Sequence, residues 1–147
     1  MSEVKLFEKL KTIFNEAGKE FHLQRHEDAY SNGIPDVSFG IDNVNGWIEL
    51  KYDDCFPVEY KTKLRKEQKP WLIKRGRAAG NCFVLHQLGD IFMLIPYENI
   101  MAINETLQKD SFTWCDKVFF GKLDSSILDY LVKRQAKPRQ INGIDHF

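Results

Sequence analysis

The stretch Gly33-Ile34-Pro35-Asp36-Val37-Ser38-Phe39-Gly40-Ile41, followed after a short turn by Trp47-Ile48-Glu49-Leu50-Lys51-Tyr52, decides the reading of this chain. Val37 to Ile41 is rich in β-formers and reads as a strand. Asp42 to Gly46 is a turn-forming cluster, and its end, Asn45-Gly46, is a strong hairpin signal. Trp47 to Tyr52 then reads as the returning strand. Side chains alternate across a strand, so Glu49 and Lys51 share one face while Ile48, Leu50 and Tyr52 point to the other. The apolar face is expected to pack on a core, and the Glu49/Lys51 face to look into a cleft. Asp36 enters the first strand just after Pro35, and the hairpin brings it toward Glu49.

Those residue types suit one chemistry. Mg²⁺ and Mn²⁺ take hard oxygen ligands, commonly one or two carboxylates with water and substrate phosphate. Asp36 and Glu49 supply the carboxylates, and the backbone carbonyl of Leu50 is a further candidate ligand. A metal ion so held lowers the pKa of water and offsets charge growing on a phosphate. The compact ammonium of Lys51 suits the holding of an attacking water and the stabilisation of the phosphorus centre. An isolated Glu-x-Lys is more often an ordinary surface charge pair. Here the preceding Gly-Ile-Pro-Asp and the intervening hairpin turn agree with it, and together they point to a metal-dependent nuclease.

The set Gly33-Ile34-Pro35-Asp36 with Glu49-Leu50-Lys51 resembles the PD-(D/E)xK nuclease signature. The Gly-x-Pro-Asp form, with Gln68 on a following helix and Arg77-Ala78-Ala79-Gly80 before an apolar strand, resembles the VRR-NUC branch, which is similar to Holliday-junction resolvases of the same superfamily. The resemblance spans about residues 1–95. It implies an α/β fold, a central mixed β-sheet flanked by helices (a restriction-endonuclease-like core), and Mg²⁺- or Mn²⁺-dependent hydrolysis of DNA. Asp36 and Glu49 match the metal-binding carboxylates and Lys51 the catalytic lysine. Gln68 matches a glutamine that orients the metal shell or the scissile phosphate, a plain surface residue being the alternative. Pro70 is tolerated only in a first helical turn, so that helix is expected from near Lys66 to Gly80.

The resemblance also implies an acidic residue from the first helix. Ser2 to Ala17 fits that helix, with Val4, Phe7, Leu10, Ile13, Phe14 and Ala17 as an apolar stripe. Glu3 and Glu8 are both candidates for the metal site. Glu3 is favoured because it lies one turn before Phe7, on the side expected to face inward. The alternative is that both are solvated first-turn acids, favourable near a helix N-terminus.

Net charge is zero, so bulk attraction to nucleic acid is not expected, but the charge is segregated. From His26 to Leu50 there is no lysine or arginine, while Glu27, Asp28, Asp36, Asp42 and Glu49 are acidic. Lys61, Lys63, Arg65, Lys66, Lys69, Lys74, Arg75 and Arg77 then follow with only Glu67 among them. An acidic metal pocket beside a basic wall suits a nuclease, and this wall is the candidate DNA-binding surface. Arg25 and His26 are weaker candidates. Lys133, Arg134, Lys137 and Arg139 form a second basic cluster, equally readable as a solvated helix face.

The remaining features bound the answer. The 147 residues suit a single nuclease domain, with a core about 1–95 and a helical extension about 96–147. Cys55, Cys82 and Cys115 form neither a zinc pattern nor a disulfide framework. No signal peptide or long apolar run is read, so a cytoplasmic protein is expected. Tyr52 to Lys63 reads as a loop, Asn81 to Gln87 and Ile91 to Ile95 as a second hairpin, Pro96 as the start of a short helix, and Ser125 to Gln135 as a helix capped by Asp124. Asp53 and Asp54 are placed at the rim, and His86 is read as a strand histidine rather than a base. The apolar stretch Phe112 to Phe120 and the last helix are candidates for a homodimer interface. The expected partner is double-stranded or branched DNA. Alternatives are a catalytically silent nuclease fold serving as a binding module, and an RNA-directed nuclease.

Overall fold

In the computed structural model, which describes residues 2–26, 33–60, 63–103 and 106–136, the central hairpin forms from strands β2 (Val37–Ile41) and β3 (Val44–Asp53). Its turn is Asp42-Asn43, not Asn45-Gly46. Asp42 and Asn43 have φ of 54° and 61°, and Ile41 pairs directly with Val44. Positive φ at both central residues matches the twist of a two-residue hairpin, and Asp and Asn tolerate it. Gly46 lies inside β3 for another reason. A Cβ there would stand 2.1 Å from the Asn81 carbonyl oxygen and 2.6 Å from the Phe39 ring.

The sheet grows on both sides of this hairpin. β1 (Phe21–Arg25) pairs antiparallel with β2, a strand the sequence reading did not assign. β3 pairs in parallel with β5 (Cys82–Leu88), and the chain crosses between them through helix α2 (Gln68–Ala79). A parallel pair requires such a crossover. α2 ends at Gly80, whose φ is 70°. β5 turns back through Gly89 into β6 (Ile91–Pro96), and β6 pairs with β8 (Lys117–Phe120). The order is β1-β2-β3-β5-β6-β8, a mixed six-stranded sheet. The segment after residue 96 is therefore not a purely helical extension, because β8 completes the sheet edge. The expected 52–63 loop is also partly strand: β3 runs on to Asp53, and β4 (Glu59–Tyr60) pairs with β7 (Thr106–Leu107).

Helices cover both faces, giving an α/β fold. On one face lie α1 (Glu3–Glu16), capped by Ser2, and α5 (Ile127–Ala136), entered through a Ser126 N–H to Asp124 bond of 2.9 Å. Their Leu6, Leu10, Phe14, Ile127 and Leu131 pack against Val37, Phe39, Ile48, Leu50, Phe83 and Leu85. Burial of each large apolar side chain contributes on the order of 2 kcal/mol. The buried stripe of α1 is Leu6, Leu10, Ile13 and Phe14, whereas Val4, expected to be inside, is 48% exposed. On the other face, Leu72 of α2 and Tyr60 pack over Cys82, Val84, Met93 and Ile95. The short helices α3 (Ile100–Ile103) and α4 (Gln108–Ser111) complete that layer. From the apolar stretch expected at an interface, Phe119 is buried in the first core, and Phe112 packs against the second. No helix among the described residues is long and apolar enough to cross a membrane.

Candidate active site

The β2–β3 ladder ends at the Val37–Ile48 pair. Asp36 takes the place of the next rung. Its Oδ2 accepts the Leu50 N–H at 3.1 Å, while its own N–H donates to Glu49 Oε1 at 3.1 Å. N–H and C=O of one extended residue project to the same strand edge, so the Leu50 carbonyl opens toward the Asp36 side. Asp36 is tied in turn to the first strand, its carbonyl accepting the His26 N–H at 2.6 Å.

Glu49 is 1% exposed although it is a carboxylate in mid-strand. Its Oε2 accepts from Gln68 Nε2 at 2.8 Å and lies 3.1 Å from the Lys51 ammonium. Burial, and after it the charge of Asp36, push the Glu49 pKa up to about 7, with Lys51 pulling the other way. A buried carboxylate disfavoured by a second carboxylate is short of positive charge, and a cation supplies it. Two carboxylates and an outward-facing carbonyl suit a hard divalent ion that keeps several waters, so the residues present fit Mg²⁺ or Mn²⁺.

Gln68 is the first residue of α2 and is 2% exposed. Its Oε1 accepts the Arg65 N–H at 2.8 Å, which leaves the amide nitrogen to face Glu49. Helix α2 starts here, not at Lys66, and Pro70 falls in its first turn as the missing N–H requires. Gly33 explains how the loop reaches this helix. Its φ is 87°, and a Cβ on it would lie 2.3 Å from the Glu67 carbonyl oxygen.

Glu3 is half-buried at the start of α1. Burial raises its pKa, Lys51 lowers it and Asp36 raises it, so its charge senses the Asp36/Lys51 cluster. Glu8 is exposed. Among the described residues no three His, Cys, Asp or Glu side chains gather as a ready cation-binding group. Glu3 therefore faces the cluster without completing a three-residue set.

The basic wall divides. Lys63 pairs with Asp53, and Arg65 lies 3.8 Å from Glu67. Lys66, Lys69 and Lys74 surround a groove of about 730 Å³ on the outer side of α2, with Pro70, Ile73 and Met101. Arg75 stands on another flank of the helix, beside a cavity it shares with Trp47. Lys61, Glu27 and Asp28 lie outside the described residues, as do Lys137, Arg139 and the side chain of Arg134.

One group escaped the sequence reading. Asp53, two residues beyond Lys51 on the same face, accepts from His86 Nε2 at 2.6 Å. A carboxylate only accepts, so Nε2 carries the proton. Burial brings the His86 pKa down to about 4, so the ring is neutral and its Nδ1 accepts the Tyr60 hydroxyl at 2.5 Å. The period-two run Glu49, Lys51, Asp53 placed Asp53 on this face, but nothing local announced Tyr60 or His86 as its company.

No protein-family model matches this chain, and no curated protein matches it. Among solved structures, the chain is similar to that of Archaeoglobus fulgidus Hjc, a Holliday junction resolvase from an archaeal hyperthermophile, with 21% sequence identity and a TM-score of 0.47 over 64% of this chain and 77% of that one.

Proposed function

We propose that this chain is a divalent-metal-dependent endonuclease that hydrolyses DNA phosphodiester bonds. The observation that carries this reading is Glu49: a buried carboxylate bonded at once to the Asp36 N–H, the Gln68 amide and the Lys51 ammonium. Burying a carboxylate in mid-strand is costly unless it is paired. Its pairing here with a second carboxylate and a lysine is the donor set that phosphodiester hydrolysis needs.

Asp36, Glu49 and the Leu50 carbonyl would hold Mg²⁺ or Mn²⁺, with Glu3, whose charge couples to Asp36 and Lys51, as a further candidate acid. When bound, such an ion acidifies water and offsets charge on the phosphate. Gln68 fixes the Glu49 carboxylate in rotation, and Arg65 fixes Gln68. Lys51, with a side chain 15% exposed, presents its ammonium from beside Glu49 to the attacking water and to the negative charge growing on phosphorus. Lys63, Arg65, Lys66, Lys69, Lys74 and Arg75, with Lys61, are the proposed contacts to flanking phosphates.

The resemblance of the motif to VRR-NUC and resolvase-like nucleases favours structured or branched DNA, in repair, recombination or phage genome processing. Two copies related by a two-fold axis would suit paired cuts across a four-way junction. The test is cleavage of a labelled four-way junction, a nicked duplex and a linear duplex, with Mg²⁺, Mn²⁺ or EDTA. Metal-dependent cutting of the junction is expected, reduced about a hundredfold or more in Lys51→Ala. Equal cutting of all three removes the branched-DNA part. No cutting of any DNA with either metal overturns the endonuclease.

A further inference from the structure

Trp47 lies on the same face of β3 as Glu49 and Lys51, about 7 Å up the strand from Glu49. The register places Ser38 opposite Trp47, and His22 opposite Gly40 on the next strand. Here the two faces of the sheet differ. Val37, Phe39 and Ile41 are buried beneath α1, whereas His22 is exposed and Ser38 and Gly40 are half-exposed. This polar shelf runs along the sheet to Glu49, and α2 forms its wall with Trp71 and Arg75.

The Trp47 ring is held in advance. His26, tied to Ser38 Oγ at 2.8 Å, packs on it at a centroid distance of 5.1 Å, and Trp71 meets it edge-on at 5.3 Å. Beside it lies a cavity of about 330 Å³ whose lining includes His22, Ser38, Trp47 and Arg75 and, among the described residues, contains no Asp or Glu. A duplex backbone is held by rows of cations reaching phosphates. This shelf instead offers aromatic rings, imidazoles and one guanidinium, the chemistry on which unpaired bases stack and a single backbone is tracked.

We propose that the β1–β2–β3 shelf binds an unpaired DNA strand, with Trp47 as the stacking platform and Arg75 as its phosphate contact. This rests on the endonuclease reading and deepens it: the substrate is DNA in which a single-stranded segment adjoins the scissile phosphate. An extended strand leaving the Glu49 site meets the shelf directly, and Arg75 gives the described lining of the cavity a charge complementary to phosphate.

The experiment measures binding of fluorescently labelled oligothymidylate, blunt duplex and duplex with a single-stranded overhang to the full chain in EDTA. It compares wild type with Trp47→Leu and Arg75→Ala. Wild type should bind the overhang duplex more tightly than the blunt one, and Trp47→Leu should weaken oligothymidylate binding about tenfold. Because Trp47 also packs on the core, Arg75→Ala at an exposed position is the second arm, and thermal melts establish that both variants are folded. Oligothymidylate binding unchanged in both folded variants, or an overhang that adds no affinity, overturns the proposal. Adding Mg²⁺ to the same substrates separates it from the reading beneath it. Cutting with no overhang effect removes the shelf and keeps the nuclease. Oligothymidylate binding that is lost in both variants, without cutting of any substrate, keeps the shelf as a strand-binding site and removes the nuclease.

Discussion

Glu49 and Asp53 stand on the same face of β3, two residues either side of Lys51, and the fold treats them in opposite ways. Asp53 has both oxygens satisfied by donors from distant segments, Lys63 on one and His86 on the other. Burial works against its charge, but those two hydrogen bonds prevail and its pKa lies below the ordinary value. Glu49 is more deeply buried, faces a second carboxylate, and its pKa is pushed up to about 7. Lys51 pairs with Glu49 rather than with Asp53, whose oxygens are already taken. Each carboxylate thus has a lysine and a neutral donor, but Glu49 also faces Asp36, and that pair is left short of positive charge. A neighbouring lysine alone does not distinguish the two acids. What differs is the depth of burial and the second carboxylate beside Glu49.

The sharpest way to break this contrast is to neutralise each acid alone. Glu49→Gln should lower metal-dependent cleavage about a thousandfold, while Asp53→Asn should lower it less than about tenfold and act mainly on stability. Single-turnover rates of both variants check this, and equal losses would erase the distinction. The next effect is in stability. The folded-state pKa of His86, about 4, lies below the unfolded value of about 6.5. The unfolded chain therefore takes up the proton first as pH falls. The contribution is fully present above pH 6.5 and is lost as pH falls toward 4, a loss on the order of 3 kcal/mol. Urea midpoints at pH 7 and pH 4.5 should show it, and a His86→Gln variant should lack that portion of the slope. The smallest effect sharpens the Glu49 side. Mg²⁺ at ten times its Kd should stabilise the chain by about 1.4 kcal/mol. Because protons compete for a group titrating near 7, the gain should be larger at pH 8 than at pH 6. Melting curves with and without Mg²⁺ test this, and Asp36→Ala should show no gain at either pH.

What was legible in the chain was local. The β2–β3 hairpin and its Glu49/Lys51 face follow from periodicity and spacing, the helix after it from Pro70 and Gly80, and Gln68 only from the family resemblance. The turn was misplaced because Asn45-Gly46 carries the stronger local turn signal of the two pairs. Gly46 answers a different need, its missing side chain making room for the Asn81 carbonyl 35 positions away. β1 does alternate, as Phe21-His22-Leu23-Gln24-Arg25, but five residues beside no turn signal make a weak pattern. β4 and β7 are two residues each and exist only as partners of one another. β8 is defined by pairing with β6, across the short helices. The Tyr60–His86–Asp53 group fails to announce itself for the same reason: its members come from three separate strands.

The contact between Gly33 and the Glu67 carbonyl has a practical corollary for anyone wishing to transplant this site. The hairpin alone is not the portable unit. Because the loop that delivers Asp36 is seated backbone-to-backbone on the start of the helix that delivers Gln68, the two acceptor-setting residues are indexed to each other by a gap that admits not even one methyl group. A graft of 33–51 into a foreign sheet would carry its acids and its lysine and still arrive misaligned. The smallest transferable module includes 65–68, and the junction between these two pieces is where a designer has no spare ångström.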